Sequence, residues 1–217
     1  MAANLELRLA HEDDVPGIEG LMAAAREWLS RKGTDQWQRS WPDDAARKTR
    51  MHIGVTAGKT WVVTDGAACV ATITVDWHAY TPGLPTLWTE AERAEPAVYD
   101  HRMTVLRDSA YAGRGLGAGL LDWSGRLAEE AYGARAVRLD AWTTNSDLHL
   151  YYKGAGFDKK RTHAEEEIGC PSGALFEKPL GRCSGSVEGI VVDAADTARW
   201  VAAARLAHGV TFAGTES

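Results

Sequence analysis

The sequence contains few cysteines and no long apolar run. Its 217 residues include three cysteines, and their wide spacing favours neither a zinc site nor a disulfide framework. No stretch approaches the roughly 18 apolar residues of a membrane span, and the N-terminal residues lack the apolar segment of a signal peptide. Positive charge is also in deficit, since 24 lysines and arginines face 30 aspartates and glutamates. Nucleic-acid binders usually carry an excess of positive charge, so we expect no binding to nucleic acid. Without a predicted signal peptide or membrane span, we expect a soluble cytoplasmic protein that does not bind a membrane.

The composition is that of a folded globular protein. Apolar residues make up 45% and charged residues 25%, both close to the averages for such proteins. Alternating and helical apolar patterns predict strands at residues 5–10, 61–64, 67–77, 98–106, 136–141, 157–168 and 174–178. They predict helices at 11–32, 42–55, 146–153 and 194–207, and one that follows a glycine turn and ends near 132, while 78–96 is expected to be a long loop. This order predicts an α/β (α+β) fold with helices flanking one mixed sheet.

The last part of the chain is an addition to this core. The predicted core is complete near residue 180, so we expect a domain over residues 1–180 and a linker with a helical extension over 181–217. The extension is expected to pack on the body or on a second subunit. The second alternative would make the protein a homodimer.

A glycine-rich turn lies between a predicted strand and an amphipathic helix. Residues 112–118 read AGRGLGA, and such a turn brings successive backbone N–H groups close to an anion at a helix N-terminus. A nucleoside-triphosphate loop is excluded, because no Gly-Lys-Ser/Thr follows. A dinucleotide fingerprint is formally present but disfavoured, because at least three predicted strands precede the turn. The remaining alternatives are a phosphate cradle and a glycine-rich helix entry without a ligand.

A second segment narrows these alternatives. Residues 137–157, VRLDAWTTNSDLHLYYKGAGF, combine a strand, an asparagine at its exit, a short helix with two tyrosines and a Gly-Phe pair. Together with the glycine turn, this segment resembles the GNAT superfamily of N-acetyltransferases. The resemblance implies a mixed, mostly antiparallel sheet and acetyl-CoA as cosubstrate, with no metal. It covers residues 103–157 most firmly and leaves the extension outside.

The resemblance also implies roles for particular residues. The backbone near Thr104 and Val105 would pair with the pantetheine arm, and Tyr152 would lie beside the thioester sulfur. The full set assigned to the coenzyme is Thr104, Val105, Ala112, Gly113, Arg114, Gly115, Leu116, Gly117, Ala118, Asn145, Leu148 and Tyr152. Two departures stand out: the family commonly has Arg or Gln where this chain has Ala112, and the spacing from Val105 to Gly113 is longer than the family pattern.

Acetyl transfer to an amine needs a group that removes a proton. His101, Asp100 and Asp140 are candidates by position, and His101 comes first because an imidazole changes charge near neutral pH. A backbone N–H in a bulged strand would polarise the thioester carbonyl. Tyr152 would protonate the leaving thiolate, whereas Tyr151, about 100° away around the helix, is expected to be structural.

The acceptor is expected to bind among aromatic side chains. Trp28, Trp37 and Trp41 cluster at the joint between the first two helices, and aromatic faces attract cations. With Asp35, Asp43 and Asp44 nearby, they predict a small, cationic primary amine as acceptor; Trp77, Trp88 and the acidic residues of the long loop would form the opposite wall. Two alternatives remain, a protein or peptide N-acetyltransferase and a non-catalytic regulatory module that binds coenzyme A.

Overall fold

An eight-stranded sheet organises the chain. The structure, a computed structural model, describes residues 5–79, 87–107, 111–185 and 187–210. The strands lie in the order β6-β7-β5-β4-β3-β2-β1-β8. Two neighbouring pairs, β4–β5 and β1–β8, are parallel, and the other five are antiparallel. The strands are β1 Leu5–Leu9, β2 Thr60–Asp65, β3 Ala68–Asp76, β4 Ala97–Val105, β5 Ala136–Ala141, β6 Asp158–Thr162, β7 Ala174–Pro179 and β8 Ile190–Val192.

Seven α-helices occur in the described residues, and they confirm the predicted mixed fold. They are α1 Val15–Arg31, α2 Asp44–Thr56, α3 Glu90–Ala94, α4 Leu116–Tyr132, α5 Ser146–Gly154, α6 Glu165–Ile168 and α7 Ala194–Ala207. The helix α2 begins after Asp43, whose side chain accepts a hydrogen bond from the Ala46 N–H at 2.8 Å. Gly115 and Gly133, both with positive φ, delimit α4.

The two faces of the sheet carry separate hydrophobic clusters. Neighbouring residues of a strand point to opposite faces, and Val62 and Val63 of β2 show this division. Val63 belongs to the cluster that contains the apolar residues of α4 and α7, whereas Val62 packs with α1 and α2. No helix of the described residues is long and apolar enough to cross a membrane.

Two local predictions are wrong, and one short strand was not predicted. The strand expected over residues 157–168 ends at Thr162, and α6 follows, where the Glu167 carboxylate accepts a hydrogen bond from the Ala164 N–H. The expected loop at 78–96 contains α3, which Thr89 and Glu92 stabilise with a capping box; residues 80–86 of that loop lie outside the described residues. The short strand β8 was not predicted.

The segment after residue 186 packs on this sheet. β8 pairs with β1, and Asp196 accepts a hydrogen bond from the Leu9 N–H at 3.0 Å. Trp200 of α7 is only 1% exposed, and its Nε1 donates to the Val75 carbonyl at 3.2 Å. Its ring meets that of Trp77 edge to face at 5.4 Å. The boundary at residue 180 stays a prediction.

Candidate active site

The parallel strands β4 and β5 separate part way along their length. They are paired from Ala97 to Asp100 on β4 and from Ala136 to Leu139 on β5. Beyond this point β4 remains paired with β3 through Val105, while its edge towards β5 has no strand partner among the described residues. An unpaired strand edge binds an extended ligand through its backbone. A cavity of about 510 Å³ lies at this split and is lined by residues of both strands.

A β-bulge turns consecutive side chains of β4 towards this cavity. Thr74 pairs with His101, but Thr72 pairs with Thr104, so β4 contains one extra residue. Arg102 adopts a φ of 51° at this position. Bulges redirect side chains next to active sites, and here both His101 and Arg102 line the cavity.

Two of the three candidate bases lie together in the cavity. The His101 Nδ1 is 3.6 Å from the Asp140 Oδ1, and the His101 Nε2 is buried without a hydrogen-bond partner in the described residues. The third candidate, Asp100, does not line the cavity. It accepts a hydrogen bond from Ser124 of α4 at 2.6 Å, and burial raises its pKa well above the usual carboxyl range.

Both tyrosines of α5 line the cavity. Tyr152 is buried, and its ring packs against Phe157 and Phe176 at 5.7 and 5.4 Å. Within the described residues its hydroxyl makes no hydrogen bond, and burial raises the pKa of Tyr152, which keeps the phenol protonated. The placement of Tyr151 in the cavity was missed, because sequence spacing alone does not show which side of α5 faces the split.

Asn145 joins two elements of the site. Its Oδ1 accepts a hydrogen bond from the Leu148 N–H at 3.0 Å and so caps α5. Its Nδ2 donates to the side chain of the buried Gln36, in the connection between α1 and α2. Asn145 and Leu148 both line the cavity, and their expected contact with the coenzyme stays a prediction.

The glycine turn has the form of an anion cradle. Gly113 and Gly115 are exposed, both with a φ of 75°, a conformation that favours glycine. A Cβ atom added to either residue would meet nothing within 4 Å, so the space in front of the turn is open. Gly115 has no side chain to cap α4, and the first N–H groups of the helix are available to an anion at its positive end.

The turn adjoins the cavity without lining it. Gly117, in the first turn of α4, packs against Met103 and the Tyr151 hydroxyl, and both of these residues line the cavity. Thr104 lines the cavity as well, whereas Val105 is buried and paired with Ala71. Residues 108–110, between β4 and the turn, lie outside the described residues.

The three tryptophans of the expected acceptor pocket, Trp28, Trp37 and Trp41, line the cavity. The three acidic residues expected beside them do not. Asp43 caps α2, Asp44 accepts a hydrogen bond from Ser40, and Asp35 accepts one from Thr144.

The expected opposite wall is also absent from the lining of the cavity. Trp77 packs against Trp200 instead, and Trp88 packs edge to face against Tyr99. Glu92 of the acidic loop pairs with Arg161. These residues therefore belong to the packing of the fold.

The cavity is positively charged although the chain is acidic. Eight lysine and arginine side chains line it, against three carboxylates, while the formal net charge of the whole chain is -6. The sequence does not show where this charge collects, because the basic residues are spread over α1, α2 and β4 and converge only in the fold.

An unpaired strand edge beside a cavity and an anion cradle at a helix N-terminus suit a ligand that carries both an extended arm and a diphosphate, as a coenzyme A thioester does. The sequence profile of the Acetyltransferase (GNAT) family matches residues 22–157. The "Uncharacterized N-acetyltransferase YesJ" of Bacillus subtilis (strain 168) is 26% identical over 154 residues, which cover 67% of this chain and 77% of YesJ.

Solved structures share the fold. An acetyltransferase of the GNAT family from Listeria monocytogenes 4b F2365 matches with a TM-score of 0.57 and 20% identity, over 81% of this chain and 95% of its own. The PaiA N-acetyltransferase from Thermoplasma acidophilum, solved in complex with coenzyme A, matches with a TM-score of 0.57 and 14% identity, over 81% and 99% of the two chains.

The chain belongs to the acetyltransferase (GNAT) family, and it is an acetyl-CoA-dependent acetyltransferase. The family resemblance drawn from the glycine turn and the 137–157 segment is thereby confirmed.

Proposed function

We propose that this protein transfers the acetyl group of acetyl-CoA to the primary amine of a small molecule by direct attack. The observation that carries the proposal is the cavity at the β4–β5 split, into which His101 and Tyr152 both project. Its volume of about 510 Å³ is typical of small-molecule sites. Tryptophans on one wall and strands on another favour a small acceptor over an extended peptide.

The coenzyme fits the described residues. The diphosphate would lie on the N–H groups of residues 113–118, where an added Cβ at Gly113 or Gly115 would occupy open space. The pantetheine arm would lie along the unpaired edge of β4 near Thr104 and Val105, and Leu148 and Asn145 would contact it from α5. When bound, the coenzyme supplies an acetyl group activated as a thioester.

His101 is proposed as the group that receives the proton of the amine. An alkylamine with a pKa near 10.4 is protonated at pH 7, and removal of this proton costs about 4.6 kcal/mol. The unpartnered Nε2 of His101 can accept the proton, directly or through a water molecule. Asp140, 3.6 Å from Nδ1, would orient the ring.

Tyr152 is proposed as the acid that protonates the departing thiolate. Its hydroxyl makes no hydrogen bond in the described residues and is therefore available to the sulfur. The raised pKa of Tyr152 ensures that the proton is present at neutral pH. The amine forms the new C–N bond, the C–S bond of the thioester breaks, and the tyrosine would donate its proton to the departing sulfur at that point.

The charge of the cavity does not support the expected cationic acceptor. Asp35, Asp43 and Asp44 do not line the cavity, and basic side chains outnumber acidic ones in its lining. We also propose a cytoplasmic location. All three cysteines are free, and disulfides are rare in cytosolic proteins.

A screen for thiol release tests the function. Acetyl-CoA is incubated with the full chain and with amines, amino acids and short peptides, and free thiol is measured together with the mass of the product. The proposal expects acetylated small amines. Acetylation of peptides alone would favour the peptide transferase, and coenzyme binding without any product would favour the regulatory module.

A further inference from the structure

The bulge of β4 places an arginine without an acidic partner in the cavity wall. The Arg102 side chain makes one described hydrogen bond, from Nη2 to the Thr74 hydroxyl at 3.4 Å. The nearest acidic groups are engaged elsewhere, since Asp76 pairs with Lys59 at 2.7 Å and Asp140 faces His101. Arg102 is partly buried, and a charge that is shielded from water without a partner is costly.

A second guanidinium approaches Arg102 from α2. Arg50 and Gly54 lie one turn apart on the same face of this helix, and both Arg50 and Arg102 line the cavity. A Cβ atom on Gly54 would lie 3.3 Å from the Arg102 Nη2 and 2.6 Å from the Thr60 hydroxyl. The absence of a side chain at Gly54 therefore lets the Arg102 guanidinium lie directly against α2, one helical turn from Arg50.

The charge of Arg50 acts on the Arg102 guanidinium. Burial and the charge of Arg50 lower the pKa of Arg102 to about 10, and burial lowers that of Arg50. The Arg50 side chain donates to the Trp41 carbonyl and lies 5.6 Å from the centre of its ring. Within the described part of the chain no carboxylate comes within ion-pair distance of either arginine. The pair thus lacks the anion that would neutralise it.

We propose that Arg50 and Arg102 bind the carboxylate of the acceptor, so that the substrate is an amine that also bears a carboxylate, as an amino acid does. The inference rests on the proposed function and specifies its substrate class. Guanidinium groups match carboxylates through paired, charge-assisted hydrogen bonds. Arg102 follows His101 directly in the bulge, so a carboxylate held here leaves the amine of the same molecule close to the His101 imidazole.

The position of the pair separates it from the coenzyme. The guanidinium of Arg102 lies against Gly54 and Thr74, on the side of α2. The glycine turn that would hold the diphosphate adjoins the cavity at Met103 and Tyr151 instead. The two arginines are therefore assigned to the acceptor.

The test compares matched acceptors on the full chain. The common α-amino acids, their primary carboxamides and the matching aminophosphonates are assayed for acetylation, and their binding to the protein loaded with coenzyme A is measured by calorimetry. The variants are Arg102→Met and Arg50→Met. Arg31→Met serves as the control, because Arg31 pairs with Glu27 on the exposed side of α1 and lies outside the cavity.

The proposal expects free acids to be used about 100-fold better than their carboxamides, and each cavity variant to lose about 100-fold on the acids. Reaction with the carboxamides should change little, and the urea midpoint of Arg102→Met should not fall, because no ion pair is lost. Several results would overturn the proposal. These are carboxamides that react as well as the acids, a preference for aminophosphonates, an equal loss of activity on acids and carboxamides in the variants, or binding of neither acids nor carboxamides. Arginine-dependent binding of acids without acetylation would instead refute the proposed function and leave the anion site standing.

Discussion

Replacement of Tyr152 by phenylalanine separates chemistry from packing. The ring keeps its contacts with Phe157 and Phe176, and no described hydrogen bond is lost, so the free energy of unfolding should change by less than about 0.5 kcal/mol. Loss of a positioned acid typically lowers turnover by about 10² to 10⁴, which corresponds to about 2.7–5.4 kcal/mol in the barrier. We therefore expect kcat to fall by at least about 100-fold, with the affinity for acetyl-CoA nearly unchanged.

Thiol release at saturating substrates gives kcat, and calorimetry gives the affinity for the coenzyme. Tyr151→Phe is the matched control, because Tyr151 lies in the same helix and also lines the cavity. It should retain kcat within about threefold of the wild type. A Tyr152→Phe enzyme with normal turnover, or a large loss in Tyr151→Phe alone, would refute the assignment of the acid to Tyr152.

Three further predictions concern the base, the C-terminal helix and a buried carboxyl. His101→Gln should lower kcat/KM by about 10² to 10⁴ in the thiol assay, and a loss below tenfold would exclude His101 as the base. Trp200→Ala should cost about 3–5 kcal/mol in urea unfolding, whereas Leu206→Ala, 83% exposed in the same helix, should change stability by less than about 0.5 kcal/mol; equal effects would show that α7 is not part of the core. Because the pKa of Asp100 is raised by burial, the folded state keeps a proton that the unfolded chain releases above about pH 4, so stability falls as pH rises from there. Asp100→Asn should therefore be more stable than the wild type at pH 7 but not at pH 3, and identical pH profiles would contradict this.

Local signals in the sequence predicted much of the fold. The Asp65-Gly66 pair correctly placed the hairpin between β2 and β3, since this dipeptide favours the turn by itself. The glycines at 113–117 likewise placed the start of α4. The strand β8 escaped prediction because three residues at a sheet edge carry too little pattern, and their pairing with β1 joins distant parts of the chain.

The candidate site was predictable only in part. Strand alternation indicates that Asp100 and His101 face opposite sides of the sheet, but the choice of side depends on where α4 packs. The bulge at Arg102 has no sequence signal, because a non-glycine residue with positive φ is uncommon. Arg50 and Arg102 are brought together only by tertiary packing, which the sequence does not show. The tryptophans and aspartates near the first two helices therefore pointed to a cationic acceptor.

The most direct test of the account is the affinity of acetyl-CoA for two glycine variants of α4. Gly115 and Gly133 lie at the two ends of the same helix, and both have positive φ. A side chain on either would enter open space, so valine should strain the backbone similarly at both ends. Calorimetry should show that Gly115→Val loses acetyl-CoA binding while Gly133→Val retains it. Wild-type affinity in Gly115→Val, or an equal loss in both variants, would contradict the placement of the diphosphate at the N-terminus of α4.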